Sequence, residues 1–161
     1  MVSLILSASL SLTFLYTCQA DLIGDVCSKA ANPSLCNNIL RSDPRSKGAN
    51  LRGLGQIIIE KAKATDNNAI NVANSVKNAG NKDIIDTCIE TFGDSISNLN
   101  ESSRLLNGGD IDALKARASA ALTDVSTCDD EFGDDEPPKL AEASRTAQDT
   151  ISPLLVVANS L

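Results

Sequence analysis

Along most of this chain apolar residues return every three or four positions, with polar or charged residues between them. That is the period of one face of an α-helix rather than the two-residue alternation of a half-buried strand. In ANLRGLGQIIIEKAKATDNNAINVANSVKNAG the recurring positions are Leu51, Leu54, Ile58, Thr65, Val72 and Val76, with Gly80 and Asn81 as the stop. In NKDIIDTCIETFGDSISNLNESSRLLNGG they are Ile85, Cys88, Phe92, Leu99 and Leu106, closed by Gly108-Gly109. A third segment, DIDALKARASAALTDVSTCDDEFG, gives Ile111, Leu114, Ala118, Ala121, Val125, Cys128 and Phe132, and Asp110 is placed to cap its start. The last, KLAEASRTAQDTISPLLVVANSL, gives Leu140, Ala143, Ala147, Ile151, Leu154 and Ala158, with a kink expected at Pro153.

Ahead of these, the stretch from Asp21 to about Ser42 reads as two short helical pieces, the second opening on Pro33 as a first-turn residue. Asp43-Pro44-Arg45 breaks the pattern. Strand signals are missing, and the chain has only three Phe and one Tyr. The pattern predicts an all-α, up-down-up-down four-helix bundle over residues 47–161, preceded by a helical hairpin over 21–46.

The first twenty residues, MVSLILSASLSLTFLYTCQA, stand apart. They carry no charge, have an apolar middle and end on small residues, which reads as a secretory signal cleaved after Ala20, leaving 161 − 20 = 141 residues. A membrane anchor is the weaker reading, because the apolar run is shorter than the roughly 20 residues of a spanning helix and is broken by serines. The remainder holds 14 basic and 21 acidic residues, a net charge of −7. A phosphate backbone is bound by excess Lys and Arg, so a nucleic-acid partner is not expected. The expectation is a secreted, soluble, extracellular protein of one domain.

Cys18 leaves with that signal, and four cysteines remain: Cys27, Cys36, Cys88 and Cys128. An even number in an oxidising compartment implies disulfides, with three possible pairings. Asn32-Pro33 falls midway between the first two and turns the segment back on itself, while Cys88 and Cys128 sit on the stripes of successive helices. Both arguments favour Cys27–Cys36 and Cys88–Cys128. A zinc site would want CxxC or Cys/His pairs, and the chain has no histidine. No CxxC redox motif is present, and no metal or cofactor is expected.

NPSLCNNILRSDPRS, LRGLGQ, TCIETFGDSISNL, LNGGDIDALKARASAAL and STCDDEF with its Pro-Pro loop together resemble the plant invertase and pectin methylesterase inhibitor family over nearly all of residues 21–161. The resemblance implies a disulfide-bonded four-helix bundle with an N-terminal hairpin, which performs no catalysis and blocks a cell-wall enzyme in the apoplast as a monomer docking 1:1. The invertase branch often carries Pro-Lys-Phe after the Gly-Asp that opens the third long helix. Here Ile111-Asp112-Ala113 follow Gly109-Asp110, so the similarity leans to pectin methylesterase as partner, with acid invertase as the alternative. In the esterase branch, partner-facing residues match Glu90, Phe92, Asp94 and Thr127, and a further family acid is replaced by Ser97.

From the residues themselves, four-residue steps put Glu90, Asp94 and Asn98 on one helix face, away from the stripe. The bland reading is a solvated face. Asp129, Asp130, Glu131, Asp134, Asp135 and Glu136 fail the calcium-loop spacing and read as a solvated loop. Asn100-Glu101-Ser102 is an N-glycosylation acceptor sequence inside the second long helix. With no histidine and no nucleophile paired to a base, catalysis would fall to carboxylates that nothing places in a cleft. A lipid-carrying bundle would need an unfilled interior, whereas the Ala-rich stripes suggest closely approaching helices.

Overall fold

A computed structural model describes residues 21–161, and residues 1–20, read above as a secretory signal, lie outside it. Six α-helices follow one another: α1 (Leu22–Cys27), α2 (Pro33–Ser42), α3 (Leu51–Val76), α4 (Lys82–Gly108), α5 (Ile111–Phe132) and α6 (Pro138–Ser160). No strand occurs among the described residues.

Short polar side chains start most of these helices by accepting a backbone N–H that the first turn leaves unpaired. Asp21 accepts from Gly24 at 3.1 Å, Asn32 from Leu35 at 3.1 Å, Asn50 from Gly53 at 2.9 Å and Asp110 from Ala113 at 3.1 Å. Between α4 and α5 the chain turns on Gly109, whose φ of +81° suits a residue without Cβ; its N–H donates to the Leu105 carbonyl. The α3 helix stops at Val76, short of the Gly80-Asn81 expected from sequence. Asparagines end it: Asn81 donates its side-chain N–H to the Val76 carbonyl and accepts from the Asn78 N–H, while Asn78 accepts from the Gly80 N–H. Such side chains offer the backbone an alternative to helical pairing. The α6 helix runs unbroken through Pro153.

Tight connections make consecutive long helices antiparallel neighbours, and α3 also packs on α6, which closes the four-helix bundle. The expected stripes of α4 and α6 are buried at every position, and that of α5 at every position except its partly exposed ends, Ile111 and Phe132. On α3 the expectation needs correcting. Leu54 and Ile58 are buried, but Leu51, Thr65, Val72 and Val76 lie at the margin, and the inward face continues through Ala62, Asp66, Ala69 and Ala73. Ile57, Ile58 and Ile59 are all buried, because α3 is covered by α4, α6 and the N-terminal hairpin at once. At Gly55 a Cβ would meet Leu106 at 3.0 Å and Val157 at 3.2 Å, so α3 approaches α4 and α6 there with no room for a side chain.

Cys27 pairs with Cys36 and Cys88 with Cys128, the pairings favoured from sequence. The first closes the α1–α2 hairpin, whose Val26 and Leu40 join the common core. Ser152 of α6 accepts the Ala31 N–H at 3.0 Å, and Asn32 donates to Asp149 at 2.9 Å, so the hairpin is fastened to the bundle as well as to itself. Arg45 grips Asp43 with two guanidinium nitrogens and reaches Glu60 of α3 with a third.

Candidate docking face

The second disulfide spans forty residues and ties α4 to α5. Glu90 stands two residues beyond Cys88, and Thr127 immediately precedes Cys128, so both are anchored close to a covalent crosslink. Glu90 and Asp94 are exposed, one turn apart on α4, and Ser97 is exposed on the next turn. Neither acid receives a hydrogen bond or an ion pair from another described residue. The Ser97 hydroxyl donates to the Gly93 carbonyl at 3.1 Å. Thr127 is half-buried, and its hydroxyl donates to the Thr123 carbonyl at 2.9 Å.

Asn98 is the hub of this side. Its side-chain N–H donates to Asp124 of α5 at 2.8 Å, and its oxygen accepts from Arg117 of α5 at 3.1 Å. Burial pushes the Asp124 carboxyl above its ordinary range, the Asn98 hydrogen bond opposes that, and the charge of Asp94 adds to it. Asp124 and Arg117 were missed in the sequence. The available signal was their seven-residue spacing, which sets them two turns apart on one flank of α5, where only a partner helix gives them meaning.

Phe92 requires a correction. Its ring is fully buried among the core side chains of α4, where the 3.6-residue period puts it, and it offers nothing to an incoming surface. The acidic loop is likewise not uniformly solvated. One oxygen each of Asp129 and Glu136 is buried without a hydrogen-bond donor, although the other Asp129 oxygen accepts from Gln148 at 2.7 Å. Burial first, and then the charge of Asp129, push the Glu136 carboxyl up to about 7. Atoms of Cys128, Asp129 and Glu136 come within 4.8 Å of one another, but the Cys128 sulfur is committed to its disulfide and cannot ligate as a thiolate. Asn100 is exposed on α4, two positions and therefore roughly 200° around the helix from Asn98. Its companion Ser102 is buried and donates to the Asn98 carbonyl.

A hollow of about 480 Å³ lies between the hairpin and α6, lined by residues including Leu35, Pro138 and Arg145 and by none of the residues of the α4–α5 face. No helix among the described residues is long and apolar enough to cross a membrane. The fold and this side of it define a disulfide-crosslinked helical bundle with a polar, carboxylate-bearing α4–α5 surface.

The chain belongs to the plant invertase/pectin methylesterase inhibitor family, whose model matches residues 21–158. A pectinesterase inhibitor of Actinidia deliciosa is 36% identical over 146 residues, covering 87% of this chain and 79% of that protein. Pectinesterase inhibitor 2 of Arabidopsis thaliana is 30% identical over 141 residues, covering 84% and 82%. In three dimensions the chain is similar to a crystal structure of a mutant pectin methylesterase inhibitor from Arabidopsis, with a TM-score of 0.73, 24% identity, and coverage of 86% of this chain and 96% of that one. That likeness shows the fold.

Proposed function

We propose that this protein is a secreted, non-catalytic inhibitor of pectin methylesterase that docks 1:1 and covers the enzyme's substrate cleft with its α4–α5 face. The observation carrying this reading is the pair Glu90 and Asp94, exposed and unpaired on a helix crosslinked to its neighbour, in a chain whose relatives are named pectinesterase inhibitors. Inhibition is then steric. The bundle excludes substrate, and polar contacts from Glu90, Asp94 and Thr127 set the register. A braced surface has little conformational freedom left to lose on docking. Its negative charge speeds encounter and selects the partner. A contact of this kind buries on the order of 1,600 Å².

In this reading residues 1–20 are the signal that delivers the protein to the extracellular space, and residues 21–161 act as one inhibitory unit of hairpin and bundle. Exposed Asn100 is the candidate glycan acceptor. A mass increase on secreted protein that disappears in Asn100→Gln supports that role, and an unmodified mass removes it. Acid invertase is the second target, because the family description names it. Ile111-Asp112-Ala113 at the start of α5, in place of Pro-Lys-Phe, favours the esterase.

Parallel titrations of purified, oxidised protein into pectin methylesterase and acid invertase assays test the choice. Loss of esterase activity alone supports the proposal. Loss of invertase activity alone reassigns the target.

A further inference from the structure

Asp66 lies in the middle of α3 and points into the bundle, where none of its surface reaches solvent. A carboxylate taken out of water needs a cation or several hydrogen-bond donors, or it takes up a proton instead. Asp66 has one donor: the Ser95 hydroxyl of α4, itself fully buried, 2.7 Å from one carboxyl oxygen. Its other oxygen has no partner. The buried faces of α4, α5 and α6 carry no charged residue. The charged group that does reach Asp66 is a second acid, Asp124 of α5.

We propose that Asp66 is built into the core as a neutral carboxylic acid, so that the bundle is firmest in acid and loosens as the surroundings approach neutrality. Burial, reinforced by Asp124 and opposed by the Ser95 hydrogen bond, pushes the group up to about 7 from an ordinary value of 3.8. Between those values the folded chain holds a proton that the unfolded chain has released. Rising pH then favours unfolding, and Asp66's contribution is fully present below 3.8 and lost as the pH passes about 7. The acids held low by ion pairs act with the opposite sign, Asp21, Asp43 and Asp86 below this window and Glu101 from its lower edge downward.

The test is denaturant unfolding of the oxidised protein from about pH 4 to about pH 8, comparing the wild type with Asp66→Asn. Near the middle of the window the wild-type unfolding constant should rise by about tenfold per pH unit relative to the variant, one proton's worth. Parallel profiles overturn the proposal. Glu136 and Asp124 are displaced upward in the same direction and are the competing sources of such a slope. Should Asp66→Asn fail to fold, the double variant Glu136→Gln/Asp124→Asn decides: a slope retained supports Asp66, and a slope abolished overturns it. The measurement reads no inhibition, so it stands or falls separately from the choice of target enzyme.

Discussion

At the scale of single residues, the two acids proposed for docking are free of structural duties. Glu90 and Asp94 are exposed and receive no hydrogen bond or ion pair from another described residue, so replacing them should change stability by no more than about 0.5 kcal/mol. The double variant Glu90→Lys/Asp94→Lys is therefore expected to keep its helix content and melting temperature while inhibition weakens by roughly tenfold or more, as for truncated interface anchors. Unchanged inhibition would remove these residues from the contact. Phe92 predicts the reverse. Emptying its buried site with Phe92→Ala should cost about 3–5 kcal/mol of stability, read by denaturant titration, with inhibition lost only as the fold is lost. Gly55→Val probes the opposite fault. Leu106 and Val157 already stand at contact distance from a Cβ, and overpacking there should cost about 1–3 kcal/mol, seen as a lowered melting temperature.

At the scale of the elements, the two disulfides should differ in weight. The α4–α5 crosslink closes a forty-residue loop and the hairpin crosslink one of nine, so the chain-entropy argument gives roughly 4 and roughly 2.5 kcal/mol respectively. Replacing Cys88 and Cys128 with Ser should lower stability more than replacing Cys27 and Cys36, by calorimetry or denaturant midpoint. The hairpin pair has a second support in Ser152 and Asp149 of α6, which widens that difference. The elements also show what the sequence could tell. The α4 and α6 stripes were legible in full, and the α5 stripe in all but its ends, because the buried residues of these helices recur at the helical period. The α3 stripe was not, since this helix is covered from several sides and its inward positions include Ala62, Ala69, Ala73 and an acid, while Val72 and Val76 sit at the edge. Hydrophobic size then misleads, because small residues occupy the buried positions while larger ones lie at the margin. On the α4–α5 side, the common exposed face of Glu90 and Asp94 was readable from spacing. The Arg117–Asn98–Asp124 bridge was not, because it exists only once two helices meet.

At the scale of the whole molecule, the picture is of a preformed helical bundle whose fold is spent on holding one side steady. One of its two crosslinks joins α4, the helix that carries the exposed acids, to α5, and its net charge is −7. A stiff body of this kind should inhibit by occupancy, with a sharp end-point set by stoichiometry. The most direct measurement is the residual activity of a known concentration of pectin methylesterase against increasing amounts of the oxidised protein. The account predicts a linear fall that reaches its floor at one inhibitor per enzyme. Full activity in the presence of a large excess of correctly crosslinked protein would contradict it.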